Sequence, residues 1–447
     1  MNTPIYDFLK SYEKSSTLRL HMPGHKGKGC EANSLDITEI SGADSLFDCN
    51  GIILDSEKNA SSLFNTARTL YSTQGSTLSI QTMLSLVRMK QGGSDRPLII
   101  AVRNAHRAFL NACALLDCDV MWVYPKYTQG NICSGEYTDS DIENAILSAD
   151  RTPSAVFVTS PDYLGRMADI KGIARVCKKH GVTFLVDNAH GAYLNFLSES
   201  LHPISLGADM TSDSAHKTLP VLTGGGYLHI SKTADSFFVE NAKAAMSLFA
   251  STSPSYLIMS SLDRCNKYLA EDFRSELDGI ISAADEIKSL LSNDGWCVCE
   301  SEPLKLTLFT SPFGLTGMQT AQLLREMGAE CEYCDETHIV FMLSTGNTSG
   351  ELYSLYKMLS SIKKKDKALE LPPVIDLCAE GSGLSLREAV LSPSEGVCVD
   401  DSLGRICSKS VTACPPGIPV AVPGEVVSEE MIKIFKRYSI LSVNVVK

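Results

Sequence analysis

The feature that most constrains this chain is a repeated order of short apolar strands and amphipathic helices. Val182 to Val186 is apolar and β-branched, the composition of a strand buried on both faces. Similar runs occur at Leu98 to Val102, Val120 to Tyr124 and Ala155 to Thr159. Helical periodicity falls between them, at Ala108 to Leu116, Ile142 to Leu147 and Ile170 to Cys177, the last closed by Gly181. This order predicts βαβ units and an α/β fold: a mainly parallel sheet with helices on both faces. Such a sheet binds its ligands beyond the C-terminal ends of its strands. The residues that follow each strand are therefore the ones to read for chemistry.

Asp187 ends the 182–186 run and opens Asp187-Asn-Ala-His190-Gly191-Ala192. Thirty residues on, Lys217 sits in the turn Ser214-Ala-His216-Lys217-Thr218, between two apolar runs. An ammonium is a poor core group and gains little from a turn. A lysine that loses its proton attacks aldehydes, the chemistry by which pyridoxal phosphate is held. A carboxylate at Asp187 can keep the pyridine nitrogen of that cofactor protonated. Upstream, Gly75-Ser76-Thr77 precedes Ile80, Met83, Leu84 and Val87. A glycine-hydroxyl turn opening a helix suits a phosphate, because free N–H groups and the helix dipole face the anion. Taken singly, Lys217 reads equally as a surface lysine, Asp187 as a cap, and Ser76 and Thr77 as N-caps. Their order along one chain is what joins them.

The chain resembles the Orn/Lys/Arg decarboxylases, pyridoxal-phosphate enzymes of the aspartate-aminotransferase fold (fold type I). The matching pieces are Leu20-His-Met-Pro-Gly-His-Lys-Gly27, Gln74-Gly-Ser-Thr77, Arg103-Asn-Ala-His106-Arg, Asp187 to Ala192, Ser214 to Leu219, Thr252-Ser-Pro-Ser-Tyr256 and Pro415-Pro-Gly-Ile-Pro through Pro423-Gly-Glu425. The resemblance implies decarboxylation of arginine, lysine or ornithine to a polyamine-pathway amine. It implies that Lys217 holds the cofactor and that Gly75, Ser76, Thr77, Ser214 and His216 surround the phosphate. By the same resemblance His106 stacks on the ring, Asp187 meets its nitrogen, His190 lies at its edge, and Glu425 reads the substrate's distal cation. Asp44 and Glu380 are the next acids to consider for that last role. The active site is expected between two subunits, with the 21–27 coil and Thr252-Ser253-Pro254 lent across a homodimer. Departures are Ala215 in place of a hydroxyl residue, the run Thr223-Gly224-Gly225-Gly226, and the lack of the extra N-terminal domain of the large members. Rival readings are transamination, with Arg387 or Arg405 on the α-carboxylate, aldol cleavage, and a silent homologue acting as scaffold.

Length and composition set the remaining expectations. The 447 residues, 44% apolar, can bury a large core. The reading divides them into an N-terminal helix and coil (1–50), a cofactor-binding domain (51–275) and smaller α+β C-terminal units (276–447). Thr3 is expected to cap a helix with Pro4 at its first position, and residues 55–70 to be helical. A net charge of −12 argues against nucleic acid and anionic membranes as partners, and suits a cationic substrate. The N-terminus reads as neither signal peptide nor membrane span. The fifteen cysteines are scattered, several in apolar runs, and read as reduced. Cys331-Glu-Tyr-Cys334 lacks a second pair at zinc spacing, so no metal site is expected. A cytoplasmic location is the resulting expectation.

Overall fold

The computed structural model describes residues 1–447 except 128–130, 134, 372, 374–380, 382 and 413–417. Glu380 and the Pro415–Gly417 start of the tail motif lie outside the described residues. Seven strands form the central sheet: β1 (Arg68–Ser72), β2 (Leu98–Val102), β3 (Asp119–Val123), β4 (Ala155–Thr159), β5 (Thr183–Asp187), β6 (Met210–Asp213) and β7 (Gly226–Ile230). Their spatial order is β1-β7-β6-β5-β4-β2-β3. Neighbours from β6 to β3 run parallel, and β7 is antiparallel to both β6 and β1. Apolar clusters lie on both faces of this sheet, as near-continuous apolar strands require.

Helices α1 (Pro4–Lys14), α2 (Ile52–Leu63) and α3 (Gly75–Gln91) precede or follow β1. The N-terminal helix starts at Pro4 as expected, but Thr3 does not cap it. Thr3 donates its hydroxyl to Asp7, and the free N–H groups of Ile5 and Tyr6 are taken by the Asp263 carboxylate at 2.9 and 3.0 Å. A distant carboxylate thus does the capping, which also docks the helix. The expected 55–70 helix is corrected: it ends at Leu63, and 68–72 is a strand. Asn65 has a φ of +54°, which stops the helix, and Thr69, Leu70 and Tyr71 then supply strand-forming side chains. The α2 entry is capped by Asp44, whose Oδ2 accepts from the N–H groups of Gly51 and Ile53, both at 2.9 Å. Asp44 is therefore spent on backbone and is no reader of a substrate cation.

The glycines at 224–226 have a packing reason. The Gly75 N–H donates to the Gly224 carbonyl at 2.7 Å. A Cβ on Gly226 would lie 2.8 Å from the Asp213 carbonyl oxygen and 3.1 Å from the Gly75 carbonyl carbon. The start of α3, the end of β6 and the start of β7 meet there with no room for a side chain. Gly75 itself has a φ of +64°, a conformation that glycine adopts without cost.

Helices α4 (Arg107–Leu116), α5 (Asp139–Ser148) and α6 (Ile170–His180) follow β2, the β3 region and β4. Helices α7 (Ser236–Ser247), α8 (Tyr256–Glu271) and α9 (Phe273–Asn293) then lead to a second sheet. Its strands are β8 (Cys297–Val298), β9 (Lys305–Phe309), β10 (Tyr333–Cys334) and β11 (His338–Met342), in the order β8-β9-β11-β10 and all antiparallel. Helices α10 (Gly317–Glu326) and α11 (Ser349–Ser361) complete it. This sheet docks on the loop after β4: Glu302 N–H donates to Gly165 at 2.7 Å and Thr307 Oγ1 to Leu164 at 2.8 Å. In the tail, Ser394–Cys398 pairs with Ser442–Val446, and a helix runs over Glu429–Arg437.

Glu425, expected to read the substrate's distal cation, sits beside an internal cation. Its Oε2 accepts from Arg103 Nη2 at 2.7 Å and from the Val422 N–H at 2.9 Å, and both charged side chains are buried. The Arg103 guanidinium, just beyond β2, also lies over the Trp122 ring at 5.0 Å. The carboxylate expected to meet a substrate cation is thus neutralised by an internal one. Nor does it cap the last helix, where Ser428 does so.

Stability measurements on three variants check these packing arguments. Gly226→Ala should cost about 1–3 kcal/mol, the scale of overpacking, in thermal or urea denaturation. Gly279→Ala, mid-helix in α9 with nothing near its Cβ, should instead gain up to about 1 kcal/mol. Glu425→Gln should lose about 3–5 kcal/mol, because it leaves the Arg103 charge buried without its partner. A Glu425→Gln protein that melts normally but binds substrate poorly would restore the substrate role.

Candidate active site

The C-terminal edge of the parallel strands carries a pocket. Asp187 and Thr159 end β5 and β4, Asn104 and His106 follow β2, and Lys217 follows β6 on the short helix Ala215–Thr218. Ser76, in the first turn of α3, lines it from the other side. Five of the residues singled out in the sequence (Ser76, His106, Asp187, His190 and Lys217) therefore share one cavity. They do so because parallel strands all end at the same edge.

Lys217 Nζ lies 3.0 Å from His190 Nε2. Burial pulls the Lys217 ammonium below its ordinary range, with Asp187 and Glu332 opposing the shift. Burial raises the Asp187 carboxyl to about 6, partly offset by Lys217 and by the Ala189 N–H. His190 falls well below the usual imidazole range through burial, Lys305 and Lys217, so its ring is neutral near pH 7. His106 is lowered to about 4 by burial and by Lys217. Its Nδ1 accepts from the Ala108 N–H at 3.2 Å and so caps α4. A lysine whose proton is loosened by burial, two neutral imidazoles and a buried carboxyl are what a site for covalent and proton-transfer chemistry needs.

The remaining candidates sit around the start of α3. His216 Nδ1 donates to the Gly225 carbonyl at 2.9 Å, and its ring faces Gly75. Ser214 is buried, and its carbonyl accepts the Lys217 N–H at 3.0 Å. Thr77 is exposed one residue beyond Ser76 and does not line the pocket. Sequence reading missed Asn104, Thr159, Asp162, Tyr163 and Lys305. The Tyr163 ring packs 5.6 Å from that of His190. Burial pushes Asp162 up to about 6. Lys305 is fully buried on β9 and, from the other sheet, touches the pocket-lining His190. Its one sequence signal was a lone cation opening an otherwise apolar strand, Lys305-Leu-Thr-Leu-Phe309.

Behind the pocket, Asn188 donates to Asp213 Oδ1 at 2.9 Å, and His202 Nε2 lies 2.8 Å from Asp213 Oδ2. Together with His229, 3.3 Å from the same oxygen, this is a buried triad of metal-ligand types. The two imidazoles hold the Asp213 carboxyl far below its ordinary range. Asn188 and His202 hydrogen-bond to Asp213, whereas His229 shares its hydrogen bond with Thr69 Oγ1 through Nδ1, at 2.8 Å.

These residues fit pyridoxal phosphate. The α3 N-terminus, with glycines opposite it, offers N–H donors and space to an anion. Asp187 offers an acid for the ring nitrogen and Lys217 an amine for the aldehyde. Asn104 Oδ1 and Thr159 Oγ1, both lining the pocket, are buried with no hydrogen-bond partner among the described residues, as expected of groups awaiting a ligand. Among the described residues no helix is long and apolar enough to cross a membrane.

Comparison with known proteins identifies the family. The family model of the Orn/Lys/Arg decarboxylase major domain matches residues 3–307, and that of the Orn/Lys/Arg decarboxylase C-terminal domain matches 384–442. The chain is similar to an arginine decarboxylase of Halalkalibacterium halodurans, 29% identical over 96% of this chain and 91% of that protein. In fold it is similar to the Francisella novicida lysine decarboxylase LdcF, with a TM-score of 0.82 at 18% identity, covering 100% of this chain and 81% of that one. A structure of SPT with PLP has a TM-score of 0.55 at 13% identity, covering 71% of this chain and 79% of that one. With more than half of its length matched by the major-domain model, the chain belongs to the Orn/Lys/Arg decarboxylase family, as a fold type I decarboxylase with pyridoxal phosphate as its cofactor.

Proposed function

We propose that this enzyme decarboxylates a basic amino acid, arginine before lysine or ornithine, and that Lys217 is the residue that holds the cofactor. The observation that carries the assignment is Lys217 Nζ beside the neutral His190 Nε2, at 3.0 Å, in the pocket that Asp187 closes. Arginine is placed first because the relative named arginine decarboxylase matches nearly end to end.

When bound, pyridoxal phosphate supplies an aldehyde for the amino group and a ring that accepts the electron pair freed as carbon dioxide leaves. The chain supplies the rest. The N–H groups at α3 and the hydroxyl of Ser76 hold the phosphate, with His216 beside them. The Asp187 carboxylate keeps a proton on the ring nitrogen, and the ring's positive charge in turn favours the ionised carboxyl. His106, neutral and fixed by the Ala108 N–H, covers the ring without adding charge. Lys217, once it had taken up the proton that the substrate's ammonium must lose, would be placed to return a proton to Cα. The buried walls keep water from competing for that carbon.

Transamination through Arg387 or Arg405 finds no support in their contacts. Arg387 donates to the Leu115 carbonyl at 2.8 Å, and Arg405 to Glu395 at 2.9 Å. For the distal cation, Glu332 replaces Glu425 in this reading. Its exposed carboxylate, one residue before β10, favours the charged forms of both Lys217 and Lys305. A homodimer and an intracellular polyamine role complete the proposal. The first draws support from Met22, 64% exposed on the 21–27 coil expected to cross between subunits, and from Leu18 and Leu20, 77% and 81% exposed just before it.

Borohydride reduction followed by peptide mapping should place a pyridoxyl label on Lys217, and no label anywhere would leave the scaffold reading standing. Carbon dioxide release should be fastest with arginine in a panel with lysine and ornithine. Glu332→Gln should lower kcat/KM for the preferred substrate roughly tenfold, chiefly through KM, the loss of one charge-assisted contact of about 1.5 kcal/mol. Its melting temperature should stay unchanged. An unaltered KM would return the search to Asp162.

A further inference from the structure

Lys305 has no place in the scheme above, yet it is the most deeply buried cation at the site. It is fully buried at the start of β9, and its Nζ lies 2.9 Å from His190 Nδ1 and 3.2 Å from the Asp162 carbonyl oxygen. Glu302 Oε1 is 3.8 Å away. The Glu302 carboxylate accepts from the Tyr193 hydroxyl and from the Leu304 N–H, the latter at 2.8 Å. Burial pushes the Glu302 carboxyl up and the Lys305 ammonium down, and the donors on Glu302 together with the attraction between the two groups oppose both shifts and favour the charged pair.

An ammonium has only donors. At 2.9 Å it can approach Nδ1 only where that nitrogen offers a lone pair. The proton of a neutral His190 is then on Nε2, which faces Lys217 Nζ. We propose that Lys305 is a positioning residue: it selects the Nε2–H tautomer of His190, which donates to the Lys217 nitrogen and holds that nitrogen in its unprotonated, nucleophilic form. The chain of contacts is Glu302, Lys305, His190, Lys217. It links the second sheet to the cofactor-holding lysine across the docking contacts at Gly165 and Leu164. The inference rests on the assignment of Lys217 as that lysine.

Other groups act on the same two nitrogens and set the sign. Asp187 and Glu332 favour the protonated form of Lys217, while burial opposes it. His106 is neutral there. Burial works against the Lys305 charge, Glu302, Asp162 and Glu332 support it, and Lys217 repels it. Removing the Lys305 charge takes away one repulsion and also frees His190 to accept a proton from Lys217. Both changes favour the protonated nitrogen, so its titration moves to higher pH.

The test is a pH titration of the visible absorption of the holoenzyme, which reads the proton on the Lys217 nitrogen without reference to turnover. Lys305→Met should raise the midpoint by about one pH unit or more, a tenfold change in the protonation equilibrium. Lys305→Arg, which keeps the charge and the donors, should stay near the parent value. An unchanged midpoint in Lys305→Met, with only a lower melting temperature, would overturn the proposal and leave Lys305 a structural residue. If Lys305→Met does not fold, nitrogen-15 shifts of His190 in the histidine-labelled parent holoenzyme decide. A proton on Nε2 supports the proposal, and a proton on Nδ1 overturns it. Borohydride mapping of the same preparation keeps the two readings apart, since a label away from Lys217 would refute the lysine assignment without touching the tautomer.

Discussion

The active site depends on one close backbone approach. The start of α3, the end of β6 and the start of β7 converge at Gly75 and Gly226, with less than a side chain's space between them. This contact sets where the α3 N–H groups point. It also sets where the Ala215–Thr218 turn begins, since the His216 N–H and its Nδ1 both reach the Gly225 carbonyl. The expected phosphate end and the Lys217 amine are therefore held by the same few peptide groups. The run Thr223-Gly224-Gly225-Gly226, a departure from the family pattern, becomes intelligible as the price of that approach.

Electrostatics at the site follows from burial. His106, Asp162, Asp187, His190 and Lys217 are all pushed towards their neutral forms by loss of water. What distinguishes the groups is the partner that resists. Asp187 and Lys217 resist each other's shifts. Lys305 has Glu302, which is itself held by Tyr193 and Leu304. The buried Arg103–Glu425 pair is a different case, lying away from the pocket, where it fastens the tail to the strand edge beside β2. A carboxylate near an active-site motif is thus a structural anchor here.

Much of this was legible in the sequence because it obeys local periodicity. The β2, β4 and β5 strands and the helices between them repeat apolar residues at strand or helix spacing, and the structure places them within a residue or two. The motif residues Ser76, His106, Asp187, His190 and Lys217 could be gathered into one site because parallel strands end at a common edge. Where local signals competed, reading failed. Residues 64–72 carry helix-compatible apolar spacing, but Asn65 in a left-handed conformation and the pairing of β1 with β7 decide for a strand. Thr3 looked like a cap, yet Asp263, 258 residues from the Ile5 N–H it accepts, takes that role.

The amino-acid sequence by itself determined the class of fold, the cofactor chemistry and the identity of the lysine proposed to hold it. Those properties follow from residue types in short runs. Only the tertiary structure decided which carboxylate meets which cation. Arg103 and Glu425 are 322 residues apart, and Lys305 is 115 residues from His190. Nothing local in either stretch specifies its partner. A charge loses its water wherever the fold buries it, and it must pair with whatever group the fold brings within about 3 Å. The role of a buried ionisable residue is therefore a property of the packed molecule, and the sequence supplies only the candidates.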